Sequence, residues 1–187
     1  MIQDDIIIDN GNVQDAEAIV GLRYRAWVQT YPNKLAGISV EDVRHRLEGD
    51  DGKKQLKALE QWRGYLKNGP AENRIILVAR YINKVIGFVS SGMIDGQQRV
   101  GAIYVDPDFQ GMGAGSKLLK KAIEWCGDKD MYLHVASYNQ AAIRFYKRHG
   151  FEITKTKIAD DIMFKSGSTM PNLEMMRPGK LHSIKSD

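Results

Sequence analysis

"YVDPDFQGMGAGSKLL", residues 104–119, decides how this chain is read. An apolar run ending at Val105 meets a proline, then glycines at 111, 113 and 115, then a Lys/Leu-rich stretch. Pro107 presets φ for the second position of a turn, so the chain can reverse out of a strand and enter a helix. Gly111, Gly113 and Gly115 can adopt positive φ and let another molecule approach the backbone. The amides of Met112, Gly113, Ala114, Gly115 and Ser116 then point outward at the start of a helix. Unpaired donors and the helix dipole together make an anion site there. A phosphate or pyrophosphate is the expected ligand.

Three phosphate carriers compete with a plain glycine-rich helix entry that binds nothing. A P-loop needs Gly-Lys-Ser/Thr after its glycine spacing, and "GAGSKL" does not supply it. A dinucleotide turn fits "GMGAGS" at the first two glycines, with Ser116 in the third position. That turn normally follows its strand at once, whereas "DPDFQ" intervenes here. Coenzyme A is the third carrier.

Outward from this turn the elements follow in order. Ile6–Ile8 read as a first strand, and Asn12 as the cap of a helix through "AEAIVGLRYRAWVQTY" that stops at Pro32. Ser39 caps a second helix, "VEDVRHRLEG". A third, "KKQLKALEQWRGYLKN" within residues 49–69, is expected to gather Leu56, Leu59, Tyr65 and Leu66 on one face. "RIILVARY" and "KVIGFVSSGMI" form a hairpin through Asn83–Lys84, and Asp95–Gly96 turns into "RVGAIYV". Beyond the glycines come the helix "SKLLKKAIEWCG", the strand "MYLHVA" and the helix "QAAIRFYKRHG". "FEITKTKIA" and "NLEMM" close the chain as a strand pair, before a mobile tail at 178–187. Antiparallel hairpins followed by strand-helix-strand-helix-strand imply an α/β fold. The expected form is a single mixed, mostly antiparallel sheet with helices on both faces, in one domain spanning 1–187.

Composition narrows the functional classes. The chain has 187 residues, 43% apolar and 27% charged, with a net charge of +4. Basic residues are interleaved with acids and no nucleic-acid module is present, so no nucleic-acid partner is expected. The acidic amino terminus is neither a secretion signal nor a membrane span, and a cytoplasmic protein with no membrane partner is expected. Cys126 is the only cysteine, which suits a reducing compartment. The histidines show no metal-ligand spacing, so no metal is expected.

The residues around the turn resemble the acyl-coenzyme-A signature of the GNAT superfamily of N-acetyltransferases. Gln110, Gly113 and Gly115 match its Gln/Arg-x-x-Gly-x-Gly/Ala core, preceded by Tyr104, Val105 and Pro107. A second block, Asn-x-x-Ala-x-x-Phe-Tyr then Gly-Phe, is met by Asn139, Ala142, Phe145, Tyr146, Gly150 and Phe151. The resemblance is clear over roughly Arg74–Phe151. It implies acetyl-coenzyme A as cosubstrate, with the pantetheine held like an added strand by backbone groups of Ile103, Tyr104 and Val105. It further implies direct attack of a primary amine on the thioester and Tyr146 as general acid. Asn139 is implied as a partner of the pantetheine, besides being a helix cap. Ala142 reads sterically, as a small residue where the coenzyme passes.

One departure matters. Many members place a glutamate near the start of the strand before the glycine turn, but Gln98–Ala102 holds no carboxylate. Glu41, Asp42 and His134 are the other candidates for a base, each with a structural or solvated reading. Trp27 and Tyr31 share a helix face and can wall an acceptor pocket for a cationic amine; core packing is the equal alternative. Lys117, Lys120 and Lys121 either meet phosphates or form a solvated face. The expected function is N-acetyl transfer to a small-molecule or peptide amine, the alternative being a coenzyme-binding sensor on the same fold. A homodimer is compatible with either.

Overall fold

Local signals start the first helices. The Asn12 side chain accepts from the Gln14 amide, and Asp15 reaches back to the Asn12 N–H, in a 3-10 turn that runs into α1 (Ala16–Thr30). Ser39 and Asp42 make the same reciprocal pair before α2 (Val40–Glu48). Such capping boxes satisfy donors that a helix start leaves without partners. The computed structural model describes residues 5–71, 73–156 and 162–180. A short strand β1 (Ile7–Asn10) precedes these helices, and α3 (Lys53–Lys67) follows them.

The remaining order is β2 (Arg74–Tyr81), β3 (Lys84–Ile94), β4 (Gln97–Val105), α4 (Ala114–Cys126), β5 (Met131–Ala136) and α5 (Gln140–Arg148). Then come β6 (Glu152–Lys155), β7 (Ile162–Met163), β8 (Thr169–Met170) and β9 (Asn172–Arg177). Seven strands form one sheet in the order β1-β2-β3-β4-β5-β9-β6, and β7 and β8 make a separate hairpin. Within the large sheet only β4 and β5 pair in parallel. This is the mixed, mostly antiparallel α/β architecture expected from the sequence.

Helices cover both faces. Leu118, Leu119 and Ala122 of α4 and Ile143 of α5 pack with Ile75, Leu77, Leu133 and Met175 of the sheet. Ile19 and Leu22 of α1 and Leu66 of α3 pack with Ile76, Val78 and Phe88 on the other face. Both faces of β2 are therefore buried, which is why "RIILVARY" reads as an unbroken apolar run rather than an alternation.

Three local expectations change. The β2–β3 turn is Ile82–Asn83, because Tyr81 pairs with Lys84; both turn residues have positive φ, 46° and 63°. The buried side of α3 is Leu66 with partly buried Leu59 and Trp62, while Leu56 is 64% and Tyr65 40% exposed. Trp62 reaches Phe88 edge-on at 5.2 Å between centroids, so the sheet selects the indole over Leu56. The hairpin of β7 and β8 has no counterpart in the sequence reading, and part of "FEITKTKIA" lies outside the described residues. Gly179, within the stretch expected to be a mobile tail, is buried, its N–H donating to Asp130 Oδ1 at 2.8 Å. Residues 181–187 of the expected tail also lie outside the described residues.

Candidate active site

Two departures from regular strand geometry create the site. In the β3–β4 ladder Ser91 pairs with Val100 and Ser90 with Ala102, leaving Gly101 as an extra residue. A bulge of this kind re-aims the side chains beyond it. Val100, Ile103 and Val105 accordingly join the α4/α5 face, while Ala102 and Tyr104 join the α1–α3 face.

The second departure is a divergence. Only Arg99↔Tyr132 and Val100↔Leu133 pair β4 to β5. Beyond them β4 continues to Val105 along β3, and β5 to Ala136 along β9, without pairing to each other. A wedge opens between the strands, and along it the β5-facing edge of β4 carries peptide groups without a strand partner. The Val105 carbonyl there accepts from the Gln110 side chain at 3.4 Å.

The glycine turn lies at the wide end of the wedge. Asp106 caps a 3-10 turn at Pro107–Phe109, and Gly111 and Gly113 follow with φ of 80° and 86°. Gly113 is the N-cap of α4, and among the described residues no side chain caps the helix. Its first amides are thus available to an anion. A Cβ added at Gly111 would meet no atom within 4 Å. Asp106, only 3% exposed, fixes this turn to α1 through Arg25 Nη2 at 2.8 Å. Burial opposes the Asp106 charge, but hydrogen bonds from Arg25 and the Asp108 amide, with the charges of Arg25 and Lys84, outweigh it and lower its pKa. Of the candidate lysines, Lys117 donates to the Ile6 carbonyl at 3.0 Å and Lys121 pairs with Glu124 at 3.0 Å, so the solvated or structural reading fits both.

Tyr146 reaches the wedge from α5. It is 8% exposed, with its ring edge-on to Phe145 and Phe151 at 5.3 and 5.8 Å. Burial first, and the neighbouring Tyr104 phenol second, raise its pKa beyond the ordinary tyrosine range. Tyr104 packs with the opposite face of the sheet, yet its phenol acts electrostatically on Tyr146. Tyr104 accepts from Trp27 Nε1 at 2.7 Å. Tyr31 stacks edge-on against Trp27 at 4.6 Å. Its pKa lies well above the ordinary value, through burial first and then through the charge of, and a hydrogen bond with, Tyr104. Tyr138, pushed up to about 12 by burial, donates to the Tyr31 carbonyl at 2.9 Å.

The structure therefore brings Trp27 and Tyr31 to the wedge, with Trp27 as a buried prop. It adds Tyr138 and the Tyr104 side chain, which the sequence reading did not single out. Asn139 caps α5, its side chain accepting from the Ala142 amide at 3.1 Å. Ala142 packs partly buried against the α4/α5 core.

At the closed end of the wedge lies a charged row. Glu174 of β9 stands directly opposite His134 of β5. Its carboxylate lies 3.5 Å from Arg99, 3.6 Å from His134 and 3.2 Å from Lys155, and accepts from Thr154 at 2.9 Å. Burial works against its charge, but Thr154, Lys155 and Arg99 prevail and lower its pKa. A carboxylate held this way is a poor proton acceptor near neutrality. Asp42 is occupied in its capping box, which fits its structural reading, and Glu41 is exposed and 3.9 Å from Arg44, which fits its solvated one. No group of three His, Cys, Asp or Glu side chains that could hold a metal occurs among the described residues. No described helix is long and apolar enough to cross a membrane.

Residues 40–151 match the model of the acetyltransferase (GNAT) family, and the chain belongs to that family. An uncharacterized N-acetyltransferase of Methanocaldococcus jannaschii, MJ1207, is 51% identical over 53 residues, 27% of this chain and 24% of that protein. The peptidyl-lysine N-acetyltransferase YjaB of Escherichia coli is 32% identical over 65 residues, 35% of this chain and 43% of that protein. The chain thus spans less than half the length of either relative. Among solved structures, YncA of Salmonella typhimurium, a putative acetyltransferase determined with acetyl-CoA, superposes with a TM-score of 0.67. It is 22% identical, with 92% of this chain and 93% of that one covered, and the likeness is one of fold.

Proposed function

We propose that this chain is an acetyl-coenzyme-A-dependent N-acetyltransferase acting on a primary amine, and that it is a single-domain cytoplasmic enzyme. The observation that carries this reading is the unpaired wedge between β4 and β5, which opens at the uncapped amino terminus of α4. An extended arm ending in a pyrophosphate fits those two features together. Ile103, Tyr104 and Val105 would hold the pantetheine as an added strand. Gln110, Gly111 and the amides of Met112, Gly113, Ala114, Gly115 and Ser116 would hold the pyrophosphate, while Asn139 and Ala142 border the arm.

The bound coenzyme supplies an activated acetyl carbonyl and a thiolate leaving group. A β4 amide facing the wedge polarises the carbonyl oxygen as negative charge develops on it. The amine attacks directly: its N–C bond forms, the C–S bond breaks and one N–H proton is released. Tyr146 gives its proton to the departing sulfur and recovers one from that released by the amine, so charge and protons balance. Its raised pKa keeps the phenol loaded at neutral pH. Cys126, buried at the far end of α4 and with its thiol pKa raised by burial, is a poor candidate for an acyl-enzyme.

The test is acetyl-coenzyme-A-dependent thiol release across amino acids, polyamines, aminoglycosides and peptides with free α- or ε-amines. Acceptor-dependent release is expected. A second reading, a coenzyme-binding sensor, is favoured by one observation, the absence of a carboxylate in Gln98–Ala102. Tight coenzyme binding without release on any amine would establish it instead.

A further inference from the structure

Two cations converge on the buried indole that supports the tyrosine cluster. The Arg23 guanidinium of α1 lies 5.3 Å, and that of Arg46 of α2 lies 5.9 Å, from the centroid of the Trp27 ring. Among the described residues neither has an ion pair or a hydrogen bond; the ring is what they share. The acids on the same helices are engaged elsewhere: Glu48 accepts from the Tyr24 hydroxyl, and Glu41 lies 3.9 Å from Arg44. Desolvation, and then the like charge of Arg23, lower the Arg46 pKa, yet an arginine stays protonated at any physiological pH. Two unneutralised guanidiniums over one ring repel each other, and an oxyanion between them relieves that repulsion. Guanidinium forks and carboxylates are matched in geometry as well as charge.

The position of the pair gives it a purpose. Trp27 is 6% exposed and its Nε1–H donates to Tyr104 at the wedge. One indole ring therefore separates the two arginines from the phenols among which an attacking amine would sit. An amine placed there reaches the arginines only with a group several bonds away, which excludes the carboxylate of a small α-amino acid.

We propose that Arg23 and Arg46 dock a carboxylate carried by the acceptor several bonds from its reacting amine, so that the acceptor is an acidic peptide-like amine rather than a polyamine or an aminoglycoside. This rests on the transferase reading of the same site. The kinetic test compares two C-terminally amidated tripeptides with free α-amines, alike except for glutamate or glutamine at the third residue. The glutamate peptide is expected to have a KM about ten-fold lower, an advantage that high salt weakens and that Arg23→Gln and Arg46→Gln abolish. Equal KM values, an advantage that survives both substitutions, or preference for a polyamine would overturn the proposal.

A binding measurement separates this outcome from failure of the transferase reading. Glutarate is titrated into the protein while tryptophan fluorescence is followed, with Trp27→Phe as the reference for Trp62 and Trp125. A saturable change that requires Trp27 and is lost in Arg23→Gln and Arg46→Gln supports the anion site even if no amine is acetylated. No change in the unsubstituted protein would overturn it.

Discussion

Tyr146→Phe separates chemistry from folding more cleanly than any other single change. Only the phenolic oxygen is removed, while the ring keeps its contacts with Phe145 and Phe151 at 5.3 and 5.8 Å. The hydroxyl has no hydrogen-bond partner among the described residues, so its loss orphans no donor or acceptor. Stability should therefore change by less than about 1 kcal/mol, a shift in melting temperature within about 4 °C for a chain of this size. Coenzyme affinity should hold for the same reason. Turnover should not. A positioned general acid is worth roughly 100- to 10,000-fold in rate, about 3–5 kcal/mol of barrier. The assay is thiol release at saturating acetyl-coenzyme A, paired with thermal unfolding of both proteins. Because the Tyr146 pKa is raised above the ordinary value of about 10, the phenol is neutral across the working range, and the loss should be the same from about pH 6 to 9. The sign of the linkage is also set: stability tied to this raised pKa is complete below the unfolded value and declines only as pH rises toward the folded one. Turnover within two-fold of the unsubstituted enzyme would refute the assigned role. A large fall in melting temperature would refute the packing argument beneath it.

Other outcomes follow from the geometry. Gly113→Ala places a side chain at φ 86°, which should cost about 1–2 kcal/mol and weaken coenzyme binding as the amides turn; unfolding curves and calorimetric titration check both. Asp42→Asn should cost about 0.5–2 kcal/mol at pH 7 through the weakened α2 cap. Hydrogen bonding from Ser166, then from Ser39, lowers the Asp42 pKa to about 2, so the native contribution is present above the ordinary carboxylate range and lost as pH falls through about 2. Acid unfolding of the two proteins should converge in that window. Leu66→Ala, at a position 4% exposed, should destabilise by about 2–5 kcal/mol; Leu56→Ala, at a position 64% exposed, should stay within about 0.5 kcal/mol. Denaturant titration compares that pair directly.

Much of the fold was legible because it is locally encoded. Asn12 and Ser39 cap with side chains two or three residues from their partners, Asp95–Gly96 turns a hairpin through two positive φ angles of 50° and 74°, and Gly111 and Gly113 need no neighbour to take theirs. The face that α3 buries was not legible, since Leu56 and Trp62 are both apolar and only the position of Phe88 decides between them.

The amino-acid sequence alone determined the order of elements (the β7–β8 hairpin apart), the glycine turn and the register of Asn139, Ala142 and Tyr146 along one helix, because each depends on residues within about two helical turns of one another. Tertiary structure alone decided the rest. The extra residue at Gly101 exists only relative to β3, and the wedge only because β5 leaves β4 after Leu133. Tyr31, Tyr104, Tyr138 and Tyr146 lie on four separate segments, and the row Arg99–His134–Glu174–Lys155 crosses four strands. Burial raises the pKa values of Tyr31, Tyr138 and Tyr146, and hydrogen bonds and charge from neighbouring strands lower that of Glu174 against its burial; these are properties of how segments distant in the chain pack together.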